Sequence, residues 1–290
     1  MSNNDLVEIV RNHPDYQKYH SPEFDRVLEA MLIVDRKNFL PEKVPVAVTV
    51  KYQTFSNMIN AFDFLMDDSK PDDERGKAYL AMLKYISKLP EGLFVTTTPP
   101  RDSAYEDRPL PIGYEQSCSQ PSIVAFMAYW LELEKGMKVF ELGYGCGYSA
   151  AITYHLIGQS GQLFAAEVIP PLAELGSNNL KVNLDKVSLT SKIILLGRRK
   201  EPKLIPGNGL EELGKEAPFD RIYLTAEVNL ESFDPFELAR HLNPKKRGIL
   251  LFPESKGNLI KQIYEGGKFI SDEKYGDGTI RFVPLIGKNT

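Results

Sequence analysis

Metal and disulfide chemistry have little to work with in this chain. Its 290 residues hold two cysteines, Cys118 and Cys146, neither in a CxxC pair, which excludes a disulfide framework. The four histidines, His13, His20, His155 and His241, are scattered, and none has the spacing of a ligand set, so no metal is expected. No run approaches the ~18 consecutive apolar residues of a membrane span. Met1-Ser2-Asn3-Asn4-Asp5 is too polar to open a signal peptide. A cytoplasmic protein with no membrane partner is the expectation. Positive charge is not in excess either: 35 Lys+Arg against 39 Asp+Glu leave a net charge of −4, so no overall field would hold nucleic acid. The runs Arg198-Arg199-Lys200 and Lys245-Lys246-Arg247 read as solvated loop charge. No internal repeat or low-complexity tract is present.

What is present is a glycine turn between a strand and a helix. Lys138 to Leu142 is a short β-rich run; Gly143, Gly145 and Gly147 follow at alternate positions, and Ala150, Ala151, Ile152, Tyr154 and Leu156 read as a helix packed on a sheet. Such a turn lets backbone approach a ligand closely and aims amides at it. A dinucleotide fingerprint would carry a third glycine where Tyr148 stands. Here an acid, Glu141, precedes G-x-G-x-G. That suits a ligand without a pyrophosphate, such as S-adenosylmethionine, whose ammonium an acid can meet. The next strand, Gln162 to Ala166, ends in Glu167, about 20 residues past the turn, where a ribose-binding acid belongs in a βαβ unit. Glu167 could also cap the helix beginning near Pro170-Pro171, and the two roles are compatible.

Ser21-Pro22 reads as an N-cap and first turn, and Phe24, Val27, Leu28, Met31 and Leu32 form the buried stripe of a helix that runs on to Pro41. Residues 43–103 read as a helical insertion. Phe55, Met58, Ile59, Phe62 and Met66 suggest one helix and Leu80, Leu83 and Ile86 a second, with an acidic break between them. From 121 onward the order is helix 122–133, strand 138–142, helix 148–157, strand 162–167 and helix 171–180. Strands follow at 192–196 or 203–206, then at 219–225, 248–252, 259–264 and 279–285. This alternation predicts an α/β fold, a Rossmann-like doubly wound and mostly parallel sheet. The last strands lack intervening helices, which predicts an antiparallel C-terminal edge. The organisation expected is an N-terminal helical segment over 1–42, the insertion over 43–103 and the catalytic core over 104–290.

Several motifs, in order, resemble the protein-L-isoaspartate O-methyltransferase family. Arg26-Val27-Leu28-Glu29-Ala30-Met31 with Val34-Asp35-Arg36 and Phe39-Leu40-Pro41 is similar to its N-terminal helix. Tyr105-Glu106-Asp107 and Pro109-Leu110-Pro111-Ile112-Gly113 lead into a loop where the family carries G-Q-T-I-S-x-P. Here that loop is Glu115-Gln116-Ser117-Cys118-Ser119-Gln120-Pro121. Gly207-Asn208-Gly209 stands for G-D-G, Leu224-Thr225-Ala226 for the start of V-T-A-A-A-P, and Phe282-Val283-Pro284-Leu285 for F-V-P-L. The departures are Glu115 for glycine, Asn208 for aspartate, Glu227-Val228-Asn229 for small residues and proline, and the insertion itself.

The resemblance implies methylation of L-isoaspartyl residues in damaged proteins or peptides, with S-adenosylmethionine as cofactor. It implies Gln116, Ser117 and Ser119 at the acceptor, with Ser119 orienting the carboxylate, and Glu141, Gly143, Gly145, Gly147, Glu167, Asn208, Gly209 and Thr225 around the cofactor. The acceptor carboxyl has a pKa of about 3–4 and is already an anion at neutral pH, so the absence of an evident His–Asp or Cys–His base fits. Ser119 could instead cap the helix at Pro121, and Cys118 reads as packing rather than as a nucleophile. Two alternatives stand beside this reading: a methyltransferase with another acceptor, and a non-enzymatic binding protein. The insertion, rejoining the chain at the acceptor loop, is a candidate lid or partner surface.

Overall fold

A computed structural model describes residues 1–42, 44, 100–190, 200–276 and 278–286. The two helices expected within 43–103, and the strand alternative at 192–196, lie outside the described residues. The N-terminus folds into two helices, α1 (Asn3–Arg11) and α2 (Pro22–Ile33). α1 was legible but missed: Ser2 and Asp5 form a reciprocal capping box, and Leu6, Val7 and Val10 are buried. α2 starts where its cap predicts, with Ser21 Oγ accepting from Phe24 N. It stops at Ile33 rather than running to Pro41, because Asp35 caps a separate 3₁₀ turn over Arg36–Phe39. Leu32, expected in the buried stripe, is exposed.

A short hairpin follows, β1 (Leu110–Gly113) with β2 (Gln116–Cys118). The core then alternates α3 (Pro121–Trp130), β3 (Lys138–Leu142), α4 (Tyr148–Ile157), β4 (Gln162–Glu167), α5 (Pro170–Thr190), β5 (Lys203–Pro206), α6 (Gly209–Glu216), β6 (Arg221–Leu224), the single turn α7 (Phe236–Ala239) and β7 (Gly248–Glu254). The hairpin β8 (Asn258–Glu265) and β9 (Lys268–Tyr275) closes it. The seven-stranded sheet runs β5-β4-β3-β6-β7-β8-β9, parallel through β7 and antiparallel from there. The strand expected at 279–285 is not one. Glu227 pairs with this segment through Glu227 N to Val283 O and Leu285 N to Glu227 O, so it lies across the loop after β6 instead of joining the edge. The true edge strand, β9, is exposed along most of its length. It lacks a buried alternation to betray it, and its charges guard the edge against pairing.

Strand parity sorts the core. Val139, Leu163, Ala165, Tyr223, Ile249 and Leu251 face α1 to α5; Phe140, Leu142, Phe164, Ala166, Ile222 and Leu250 face α6 and α7. The chain winds outward from β3 through β4 to β5, then returns to β6 on the other side of β3. That reversal opens a crevice at the carboxyl ends of β3 and β6, the place where open α/β sheets bind ligands.

Candidate active site

The crevice is a cleft walled by five segments: the β1–β2 hairpin, the glycine turn after β3, the end of β4, the β5–α6 turn and the end of β6, with Val283 to Ile286 across its mouth. Gln116, Ser117, Ser119, Gly143, Gly145, Glu167, Asn208, Gly209 and Thr225 all line it. Glu141 and Gly147 do not; both lie one layer behind.

The glycine turn is held on three sides. Gly143 N and Tyr144 N donate to Ala166 O at 2.8 and 3.2 Å. Thr225 Oγ1 donates to Leu142 O at 3.1 Å and to Gly143 O. A Cβ on Gly143 would meet Thr225 Oγ1 at 2.8 Å, and its φ of +92° is in the left-handed region. Thr225 therefore braces the turn as well as lining the cleft. Gly147 serves packing: a Cβ there would come within 3.0 Å of Leu180 Cγ and 3.1 Å of Gly176 O on α5.

Glu167 sits at the end of β4 with Oε2 accepting from Gly145 N and Oε1 from Ile169 N, both at 2.9 Å. Glu167 thus orders the start of the following helix while lining the cleft. Burial pushes its carboxyl above the ordinary range against the pull of those amides. Glu141 shares the parity of Val139 and points under the turn toward α4. It is fully buried; Ser149 Oγ donates to its Oε1, and Tyr223 lies beside it. Its Oε2 is buried without a hydrogen-bond partner among the described residues. Burial raises its pKa to about 7.

Asn208 Oδ1 caps α6 by accepting from Leu210 N at 3.1 Å, and Gly209 packs so tightly that a Cβ would come within 2.4 Å of Ala166 Cβ. In the hairpin, Gln116 Nε2 donates to Tyr114 O at 3.2 Å. Tyr114 and Glu115 take φ of 54° and 60°, so Glu115 holds the left-handed backbone that suits the glycine usual at this position. Glu115 lines neither this cleft nor the groove beside it.

Ser119 is not a helix cap. The N-cap of α3 is Gln120, which makes no side-chain capping bond. Asp107 does that work from a distance, with Oδ1 accepting from Ser122 N at 2.8 Å and Oδ2 from Gln120 Nε2 at 3.2 Å. The Ser119 side chain is left to the cleft. Cys118 and Cys146 are free and buried, and the neighbouring Cys146 thiol pulls the pKa of Cys118 below its ordinary value.

Sequence reasoning missed the organiser of this hairpin. Arg36 is fully buried and donates to five carbonyls: Nη1 to Ala104 O (3.2 Å) and Glu106 O (3.0 Å), and Nη2 to Arg108 O (2.9 Å), Cys118 O (3.3 Å) and Ser119 O (3.0 Å). The Asp35-Arg36 pair was visible as a motif, but nothing local announces carbonyls about 70–80 residues away.

The residues fit a cationic, nucleoside-bearing ligand. The turn is a backbone cradle in which a Cβ on Gly143 would meet Thr225 and one on Gly145 would meet Ile112, Glu167 accepts from its Gly145 N–H, and a buried Glu141 oxygen without a hydrogen-bond partner among the described residues lies beneath. This combination of sheet, cradle and acids defines the S-adenosylmethionine-dependent methyltransferases with a Rossmann-like core. Within that class the chain belongs to the protein-L-isoaspartate(D-aspartate) O-methyltransferase family, whose model matches residues 74–290. It is 38% identical over 204 residues to protein-L-isoaspartate O-methyltransferase 2 of Archaeoglobus fulgidus, covering 70% of this chain and 84% of that one. It is 36% identical over 207 residues to the enzyme of Methanothrix thermoacetophila, covering 71% and 88%. A crystal structure from Plasmodium falciparum, of a beta-aspartate methyltransferase (PCMT) in complex with S-adenosyl-L-homocysteine, matches with a TM-score of 0.61 and 17% identity over 99% of both chains. At that identity the likeness concerns the fold. Among the described residues, no helix is long and apolar enough to cross a membrane, and no His/Cys/Asp/Glu cluster could hold a metal ion.

Proposed function

We propose that this cleft transfers the methyl group of S-adenosylmethionine to the free carboxylate of L-isoaspartyl residues in proteins and peptides, with Ser119 orienting that carboxylate. The observation that carries this reading is the position of Ser119. It lines both the cofactor cleft and the adjoining groove, so an acceptor in the groove and a cofactor in the cleft would meet beside it. When bound, the cofactor supplies an already activated sulfonium methyl. The acceptor is already ionised, so the chain needs no strong base. Its task is alignment and exclusion of water. Arg36 sets the backbone of Ser119, Val283 to Ile286 cover the mouth, and buried apolar side chains form much of the floor. Glu167 would hold the ribose hydroxyls and Asn208 the adenine edge. Glu141 would act from beneath, favouring a cationic ligand end and holding Ser149, which does line the cleft. The departures at Glu115 and Glu227 weigh little against this: the first lies off the wall, and the second pairs through its backbone with Val283 and Leu285.

Ser119→Ala is expected to lower turnover on an isoaspartyl peptide while leaving cofactor affinity unchanged; equal losses in both would mean that Ser119 merely holds the cleft together. Glu167→Ala is expected to weaken S-adenosylhomocysteine binding by on the order of 1.5–3 kcal/mol, the worth of charge-assisted hydrogen bonds. Calorimetry giving the wild-type affinity would remove Glu167 from the cofactor site.

A further inference from the structure

A second cavity opens beside the first and shares Ser117, Ser119, Thr225 and Val283 with it. Its lining brings the turn after α1, the start of α3 and the segment after β9 to one place. Lys18, Lys274 and Arg281 line it, as does His13, and no aspartate or glutamate does among the described residues. In a chain with a net charge of −4, a groove whose charged lining among the described residues is cationic, at the acceptor end of the active site, is a local reversal of sign.

The three cations differ in what they have left to offer. Lys274 is neutralised by the buried Glu254, Nζ to Oε1 at 3.0 Å. Lys18 is exposed, and its ammonium lies 5.0 Å from the centre of the Tyr19 ring. Arg281 is exposed; Nη1 donates to Ile280 O at 2.9 Å. Neither Lys18 nor Arg281 has a carboxylate partner among the described residues. Arg281 also has a built seat: a Cβ on Gly257, whose φ is +82°, would come within 2.0 Å of its Nη1. The partly buried Tyr19, Ile123, Ile280 and Phe282 line the same groove and offer apolar surface on which extended backbone and aliphatic stems can rest.

We propose that this groove receives the residues flanking the isoaspartyl site and selects acidic ones, with Lys18 and Arg281 as the specificity-determining residues. The proposal rests on the isoaspartyl reading above. The acceptor carboxylate sits at Ser119, and chain leaving it into the groove passes two unpaired cations. Each ion pair would form near the surface, where such pairs contribute modestly and are screened by salt. Selection therefore acts on peptide affinity and encounter rather than on the methyl-transfer step.

The test uses the full chain and one isoaspartyl peptide made with acidic, neutral or basic flanking residues. At low salt the acidic peptide is expected to have a KM about five- to tenfold below that of the neutral one, with the basic peptide above both and kcat nearly constant. The differences should largely disappear in ~1 M salt. Lys18→Glu/Arg281→Glu should reverse the order, and Lys18→Gln/Arg281→Gln should flatten it, each with wild-type S-adenosylhomocysteine affinity as the check on folding. Equal KM values for the three peptides, or a preference that survives charge reversal, would overturn the inference and leave the isoaspartyl assignment standing. Failure of all three peptides to accept methyl would overturn the assignment, and the inference with it.

Discussion

Glu141→Gln is expected to stabilise the ligand-free protein above neutral pH and, in the same protein, to weaken cofactor binding. The wild-type carboxyl titrates at about 7 because it is buried, against an ordinary value of 4.5. A pKa raised by folding means that the native state holds the proton more tightly than the unfolded chain does. Between about pH 4.5 and 7 the native state therefore carries the extra proton, and the stability contributed by Glu141 falls as pH rises through that window. The loss amounts to roughly 3 kcal/mol by pH 8. Glutamine cannot ionise, so denaturant unfolding of the two proteins should give a stability difference that grows in favour of the variant from pH 4.5 to 8. The opposite effect on binding follows if the buried charge serves a cationic ligand end. Parallel stability curves for the two proteins would show that Glu141 is not buried as described. Unchanged affinity would show that it plays no part in holding the cofactor.

Arg36→Ala should cost on the order of 3–5 kcal/mol in stability, because five carbonyls lose their donor and several of them are buried. The damage is local in function. Ser119 and Cys118 lose a shared anchor, so turnover should fall further than the affinity for S-adenosylhomocysteine. Arg36→Lys should recover only part of either loss, since one ammonium with three donors cannot span acceptors that a planar fork reaches from two nitrogens. If Arg36→Ala proves too unstable to assay, the lysine variant carries the test: wild-type stability and turnover in Arg36→Lys would show that the hairpin is held by something else.

The two effects trace what was legible in the chain. The glycine turn, the acid past β4 and the β/α alternation could be read because they depend on neighbours within about 25 residues. Helix α4 and strands β3 and β4 lie where the pattern puts them. Arg36 could not be read, since its partners lie about 70–80 residues away and a lone charged residue says nothing of carbonyls that fold around it. Strand β9 was hidden because exposure removes the alternation that marks a strand, while the apolar run at 279–285 imitated one. Which way Glu141 points was also legible: Val139 and Glu141, two residues apart on a strand, share a face, and Val139 is buried against the helices. Strand parity puts the acid beneath the turn rather than on the cleft wall.

This cleft is expected to methylate an isoaspartyl carboxylate and to pass over its aspartyl twin. The two peptides offer carboxyls of similar basicity, so discrimination must come from where one extra backbone methylene places the anion relative to Ser119. Alignment can contribute roughly 7–11 kcal/mol, so a displacement of about an ångström suppresses the wrong substrate. Labelled methyl transfer to matched isoaspartyl and aspartyl peptides tests this directly. A base-labile methyl ester on the isoaspartyl peptide and background on the aspartyl one are the expected result; tight cofactor binding with no methyl on either peptide, or equal methylation of both, would overturn the isoaspartyl reading.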